Sequence, residues 1–349
     1  MKPRGPAPLL LSLLLALALR AGAAPAVTPV VNREYLPAVL ALIAGATNTI
    51  EFLQLEHHDD AAVRRIEAEL ARAVERGVRV RGLLEDRIDF NAEGRQRLED
   101  LGAEVRLDTP RKMLHAKLIV VDGRKVLLGS TNWTGNSMGN NNETNVLLDD
   151  PVLADYFTRY IAALREDSFA EPELPAVESG PVRTLVNRQY FPAVLSLFND
   201  AARRIRVIMY GVKYDPKYEG SKVNQLVEAL AAAHARGVDT AVILDLSDYN
   251  TTLNEVNAPT RDYLAAAGVA VYDDPERITT HAKVVLADDR VVIGSANWGY
   301  DALERRNEAC VVIEDPAIAD FFAAYFEHPD RRGAPVPAPA GAASEEANN

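Results

Sequence analysis

The chain has 349 residues, 48% of them hydrophobic and 25% charged, a globular balance with length enough for two modest domains. Its formal net charge of −12 argues against a general polyanion binder, because phosphate backbones are held chiefly by Lys and Arg. The single cysteine, Cys310, excludes an internal disulfide, and its setting "ACVVIED" reads as a buried strand thiol without a catalytic role.

Residues 1–24 carry Lys2 and Arg4, an apolar run from Leu9 to Leu19, and Ala21-Gly22-Ala23, the pattern of a signal peptide with small residues at its cleavage site. As a helix the run rises about 16 Å, roughly half a bilayer core, so cleavage is expected rather than a membrane span. The mature chain is then expected to be secreted or periplasmic. Without Lys2, Arg4 and Arg20 it keeps 35 basic against 50 acidic side chains, a net charge near −15.

The remainder is written twice. "VNREYLPAVL" from Val31 recurs as "VNRQYFPAVL" from Val186, Gly77 matches Gly237, and "NETNVLLDDP" matches "NEACVVIEDP". The offset drifts between 155 and 166 residues, so the repeat is a duplicated domain and not a short-period solenoid. Each copy runs through a helix, a β-rich segment ("TIEFLQL", "RIRVIMYGV"), a long helix ("DDAAVRRIEAELARAVERG", "KVNQLVEALAAAHARG") and a buried strand ("VRVRGLLED", "VDTAVILDL"). Such alternation predicts an α/β fold of two duplicated domains, each a mixed sheet flanked by helices. The expected divisions are 25–170 and 182–330, joined by a Pro-rich acidic linker over 171–181 and followed by a disordered Pro/Ala-rich tail over 331–349.

Late in each copy stands a histidine with a lysine two residues on: His115 and Lys117, then His281 and Lys283. In a strand, residues i and i+2 share a face, so each pair points one way. The following strands return Ser130 with Asn132 and Ser295 with Asn297, again at i, i+2. If Asp122 to Lys125 form the first hairpin loop, Lys117 lies across from Ser130 and His115 from Asn132. The second loop, Asp288 to Arg290, is one residue shorter and sets Lys283 against Ser295 and His281 against Asn297. Asp122 and Asp288 open their turns at odd separation from the histidines and read as turn scaffold, not as substrate contacts.

His115-x-Lys117-x4-Asp122 and His281-x-Lys283-x4-Asp288, each followed by Gly-Ser-x-Asn and then Asn-Glu, resemble the phospholipase D superfamily, the two-HKD-motif phosphodiesterases. The resemblance covers nearly all of the mature chain. It implies halves packed face to face around one shared site, in which one histidine attacks phosphorus to form a phosphohistidine and the other protonates the leaving alcohol, with His115 favoured as nucleophile by family habit. It further implies that Lys117, Lys283, Ser130, Asn132, Ser295 and Asn297 hold phosphate oxygens, and that Glu143 and Glu308 each hydrogen-bond a histidine. Two lysines and oriented donors answer the charge that grows on phosphorus oxygens, so no metal and no other cofactor is expected. Acid and nucleophile start in different protonation states, which predicts a bell-shaped pH profile.

Other features read more plainly. Adjacent His57, His58, Asp59 and Asp60 diverge in direction, which favours an acidic helix start over a metal site. Trp133 and Trp298 are expected in the core, and Gly129 and Gly294 at close backbone approaches. The inserted "MYGVKYDPKYEGSK" reads equally as a lid against a head group or membrane surface and as an ordinary exposed loop. The leading expectation is an exported hydrolase cutting phospholipids to phosphatidate and free alcohol. The same-family alternatives are a metal-independent endonuclease, which alone would bring in nucleic acid as a partner, and a phosphatidyltransferase. A non-catalytic phosphate-binding protein is the remaining reading. The fused halves carry both motifs, so a monomer suffices, with at most transient contact to a membrane surface.

Overall fold

The computed structural model describes residues 25–248 and 250–337. The expected signal peptide lies outside the described residues, as does most of the tail. The first half runs β1 (Ala26–Val31), α1 (Tyr35–Ala44), β2 (Thr49–Gln54), α2 (Ala61–Glu75), β3 (Arg79–Leu84), α3 (Asn91–Asp100), β4 (Glu104–Leu107), β5 (Leu118–Val121), β6 (Lys125–Gly129), α4 (Gly135–Gly139), β7 (Thr144–Asp149) and α5 (Pro151–Glu166). The second half repeats it as β8 (Glu178–Ser179), β9 (Val182–Val186), α6 (Tyr190–Asp200), β10 (Arg204–Met209), α7 (Lys222–Ala235), β11 (Asp239–Leu244), α8 (Thr251–Ala266), β12 (Ala270–Asp273), β13 (Lys283–Ala287), β14 (Arg290–Gly294), α9 (Tyr300–Glu304), β15 (Ala309–Glu314) and α10 (Pro316–Glu327).

One sheet has the order β1-β7-β6-β5-β2-β3-β4 and the other β12-β11-β10-β13-β14-β15-β9-β8. Parallel pairs (β2 with β3, β3 with β4) and antiparallel ones (β2 with β5, β5 with β6) coexist, so both sheets are mixed, as the alternation of elements predicts. The repeated Asp-Pro steps explain where α5 and α10 begin. Asp150 and Asp315 each accept two backbone N–H groups at their helix start, and proline follows at the first position, where no N–H is needed. These two helices bury Tyr156, Phe157, Tyr160, Phe322 and Phe326 in one central core together with residues of both sheets. Each sheet's other face packs separately, on α1 and α2 or on α6 and α7. A core shared by both halves fixes their relative position, and with it the seam that carries the motifs.

Both hairpins are one residue tighter than expected. Val121 pairs with Lys125 and Ala287 with Arg290, so the loops are Asp122-Gly123-Arg124 and Asp288-Asp289. Polar Lys125 and Arg290 were counted as loop because of their side chains, but ladder pairing is done by the backbone. Gly129, not Ser130, donates to the carbonyl of Lys117. The reason lies at the aspartates, which sit at φ +54° and +55° and start the reversal at once. Asp122 accepts the N–H groups of Thr47, Asn48 and Thr49, and Asp288 those of Ala202, Arg203 and Arg204. Both are scaffold, as their positions imply.

The tail departs from expectation at its start. Gly333 and Val336 donate backbone hydrogen bonds to Asp273 and Val271, so residues 331–337 lie along the open edge of β12. Composition alone reads Pro and Ala as unstructured and does not see an unpaired strand edge.

Candidate active site

The two motifs meet because each histidine-bearing segment leaves its own sheet and bonds across the seam. His115 donates its backbone N–H to the carbonyl of Asn307 at 2.9 Å, and Asn142 donates to that of Thr279 at 2.9 Å. Behind each segment, a buried acid accepts the N–H of the residue before the histidine: Glu85 that of Leu114 at 2.5 Å and Asp245 that of Thr280 at 2.6 Å.

The acids that hold the imidazoles are exchanged between halves. His115 Nδ1 lies 2.9 Å from Glu308 Oε2, and His281 Nδ1 lies 3.1 Å from both oxygens of Glu143. A carboxylate can only accept, so Nδ1 of each ring carries the proton and Nε2 presents its lone pair. The glutamates are fully buried. Burial pushes Glu308 up, but the His115 imidazole, Lys117 and Arg306 outweigh it and hold the carboxyl down at about 2. Glu143 is likewise lowered, the burial penalty being outweighed by His281, Lys283 and Ser130.

Burial pushes the His115 imidazole down to about 3 and lowers His281 as well, so both rings are neutral at pH 7 in the free protein. Burial also brings the Lys117 ammonium down to about 8 and that of Lys283 to about 7. Lys117 Nζ donates to the carbonyl of His115 at 2.6 Å, and Lys283 Nζ to that of His281. The site therefore offers two imidazole lone pairs and two buried lysines whose ammonium forms are lost as pH rises above neutrality. That constellation suits nucleophilic attack on a monoanionic diester with charge-stabilising groups already in place.

Ser130 and Ser295, which the resemblance implies as phosphate contacts, are turned toward the glutamates in this structure. Each hydroxyl donates to its glutamate, Glu143 at 2.5 Å in the first case and Glu308 in the second, and accepts a backbone N–H from Thr144 or Ala309. A serine has one O–H, and both are spent on keeping the glutamates in place. Asn132 and Asn297 each bury an Oδ1 without a partner, an acceptor and so not the atom that could hold a phosphate oxygen; only their Nδ2 groups could donate to one. Asn132 lines a cleft of about 720 Å³ together with His281, Glu56, His58, Tyr210 and Arg277.

The neighbouring sequence features fall into place around this cleft. The Tyr210 ring stands edge-on to His281 at 4.8 Å and under Lys283 Nζ at 5.2 Å, so the insertion contributes a wall of the site. Its Tyr214 is buried and its Tyr218 exposed, the mixture that neither a lid nor a plain loop requires. Trp133 and Trp298 are core residues, each donating its indole N–H to a tyrosine, Tyr35 or Tyr190, at 3.0 Å. A Cβ on Gly129 or Gly294 would lie 2.3 or 2.4 Å from a carbonyl oxygen of the adjacent strand. Buried His57 bonds Glu67 at 2.9 Å and Asp59 pairs with Arg64, while Asp60 caps α2 and lies 3.5 Å from His58 Nδ1, so the four side chains do not meet at one point. Cys310 is buried in β15, where burial pushes its thiol up to about 12.

Two groups escaped sequence reasoning. Glu56 lines the cleft beside Asn132 and lies close enough to Lys117 for their charges to interact. Asn32 and Asn187, both at positive φ, accept the N–H of Glu143 and Glu308 at 2.9 Å, while Tyr325 and Tyr160 donate to the same oxygens. The repeated "VNR" was visible; that it clamps the glutamates was not.

Comparison with known proteins agrees with this geometry. The family described as "Cardiolipin synthase, PLD-like domain" matches residues 39–165 and again 194–329. Cardiolipin synthase A of Pseudomonas entomophila (strain L48) is 27% identical over 316 residues, covering 81% of this chain and 64% of that protein. Cardiolipin synthase B of Escherichia coli (strain K12) is 25% identical over 323 residues, covering 81% and 75%. This chain thus spans less than two thirds of the first relative's length, 64%, and 75% of the second's. Among solved structures, phosphatidylserine synthase of Haemophilus influenzae Rd KW20 superposes with a TM-score of 0.68 at 15% identity, covering 86% of this chain and 84% of that one, a likeness of fold. Two matches to one family description, one in each half and each carrying a His-x-Lys motif, place this chain in the cardiolipin synthase, PLD-like domain family of phospholipase D superfamily enzymes.

Proposed function

We propose that the protein is a phosphatidyltransferase that moves the phosphatidyl group of one phospholipid to a hydroxyl of another through a phosphohistidine. The observation that carries this reading is the crossed pairing of two neutral, buried imidazoles with glutamates of the opposite half. In the first step Nε2 of one histidine bonds to phosphorus as the bond to the leaving alcohol breaks, and the other histidine gives that alcohol a proton. In the second, an acceptor hydroxyl attacks phosphorus, its proton goes to the second histidine, and the P–N bond breaks. His115, whose ring is pushed far down by burial, is the assigned nucleophile. His281 lines the open cleft, where a leaving alcohol departs and an acceptor enters, and it takes up its proton when the anionic substrate arrives.

Hydrolysis was the leading sequence expectation, with a synthase set lower because no membrane span is apparent. Among the described residues no helix is long and apolar enough to cross a membrane. Transfer is favoured over hydrolysis because the relatives named above are synthases. The test is incubation with phosphatidylglycerol vesicles in EDTA, reading the lipid products. Cardiolipin is the expected product; phosphatidate alone would make the protein a hydrolase, and cleavage of single-stranded DNA without lipid turnover would make it a nuclease.

A further inference from the structure

The pseudo-twofold relation makes the two ends of the seam comparable residue by residue, and their charges differ. At the end beside His281, the cleft carries Asn140 and Asn141, with Glu56 and Asp60 against one cation, Arg277. The related end beside His115 is a smaller cavity of about 220 Å³, where Arg305 and Arg306 replace the two asparagines and Arg111 matches Arg277. Arg87 and Lys112 also line it, with one carboxylate, Asp301.

Several of these cations are already committed. Arg87 pairs with Glu85 at 2.8 Å, Lys112 with Glu171 at 2.9 Å, and Arg305 with Asp301 at 3.9 Å. The Arg111 guanidinium stacks on Phe169 at 4.0 Å, and among the described residues neither it nor Arg306 has a carboxylate within ion-pair distance. Arg306 lies close enough to His115 and Glu308 for its charge to act on both, and Arg111 lines the same cavity. Asn307, next to Arg306, accepts the His115 N–H and donates its own to Met113, two residues from Arg111. Asn141 donates to Glu143 Oε1 at 3.3 Å, whereas the matching Glu308 Oε1 is buried without a partner beside Arg306.

We propose that this basic end is a second phosphate subsite, which holds the neighbouring phosphate of a lipid headgroup while the scissile phosphorus sits at the histidines. The inference rests on the phosphatidyl-transfer reading and deepens it, because the product of joining two phospholipids carries two phosphates on one headgroup. Guanidinium forks match phosphate oxygens in pairs, which favours Arg over Asn for this task. A chain of net charge −12 repels an extended polyanion, so a short local cluster of cations selects a compact two-phosphate headgroup over a nucleic-acid strand.

The test is calorimetric titration of the full chain with bis(glycerophospho)glycerol, the deacylated two-phosphate headgroup, and with glycerophosphoglycerol, its one-phosphate counterpart. The wild type is expected to prefer the first by about tenfold, the scale of one charge-assisted contact. R305N/R306N, which copies the asparagine pair of the other half, should bring the preference to within about twofold, and R306K should keep part of it. Thermal unfolding of each variant separates a lost contact from a lost fold. An unchanged preference in a folded R305N/R306N protein, or none in the wild type, overturns the proposal. So does a single-stranded oligonucleotide whose binding falls in that variant while headgroup binding does not. Headgroup discrimination without cardiolipin formation from vesicles would sink the transfer reading and leave this subsite standing.

Discussion

Glu308, immediately before β15 in the second half, holds the imidazole of His115 at 2.9 Å across 193 residues of chain, while Glu143, immediately before β7 in the first half, holds His281. Neither half owns a complete histidine–carboxylate pair. A single copy of the domain supplies a ring without its acid, which gives the duplication a chemical reason: the site exists only at the seam.

That exchange predicts the behaviour of E308Q. Glutamine keeps the size but offers an amide that can meet either ring tautomer, so Nε2 no longer presents its lone pair reliably. The expected result is a kcat reduced about 10²–10⁴-fold with the unfolding midpoint near that of the wild type. Steady-state rates on a bis-aryl phosphodiester measure it, and a rate within threefold of wild type would remove the orienting role.

The lysines predict the pH profile. Burial brings Lys283 down to about 7 and Lys117 to about 8, and the charged form is the one that binds phosphate oxygens. Rising pH therefore strips these charges, and kcat/KM should fall from neutrality upward. A bell set by two histidines in different states is not what the free protein holds, since both rings are shifted down together. In K283R the guanidinium stays charged, and the alkaline limb should move up by about one unit or more. A limb that stays in place would assign it to another group.

How much of this was written in the sequence follows from what each signal depends on. The His-x-Lys pairs, the repeat and the α/β alternation are local or periodic, and Leu114 to Trp133 displays one such pair with its following Ser and Asn within twenty residues. The partner of each histidine is not local: "NE" follows its own motif closely, yet Glu143 and Glu308 serve the opposite half. A phosphate role for Ser130 and Ser295 is what the resemblance implies, but which acceptor receives each hydroxyl's one proton is decided by tertiary packing, which the sequence does not display. The hairpin registers failed on a subtler point, the left-handed conformation of Asp122 and Asp288, which composition does not declare.

Those aspartates make a stability prediction. In D288N the side chain still tolerates positive φ but replaces the carboxylate that accepts three N–H groups, for a cost of about 1–3 kcal/mol and little change in kcat. Burial opposes ionisation of Asp288, yet the N–H groups of Ala202, Arg204 and Arg203 leave its carboxyl below the usual range. A lowered folded value means stability that is present above about pH 4 and lost as pH falls through the folded value. Urea unfolding at pH 7 and at pH 3 should show the difference between D288N and wild type shrinking at the lower pH; a constant difference would point to lost packing instead.

Gly294 makes another. A methyl group there would sit 2.4 Å from the Ala309 carbonyl and from Cys310 Sγ, where backbone on one side cannot give way. G294A is expected to lose about 1–3 kcal/mol, with G129A similar, and both should lower the unfolding midpoint. An unfolding midpoint equal to that of the wild type would mean that β14 and β15 are not so closely apposed.

The serines allow the sharpest separation of roles. If Ser295 held a phosphate oxygen, removing its hydroxyl would chiefly raise KM. In the structure it instead donates to Glu308 and accepts from Ala309, so S295A leaves a buried carboxylate with one partner fewer and a backbone N–H with none. The first loss loosens the grip on His115 and should lower kcat by about tenfold to a hundredfold at nearly constant KM, by analogy with other outer groups that orient a reacting side chain. The second should cost about 1–3 kcal/mol of stability. S130A, acting on Glu143 and hence on His281, should behave alike. Steady-state kinetics with a soluble diester decides between the two roles, because a raised KM with kcat unchanged would return both serines to the substrate.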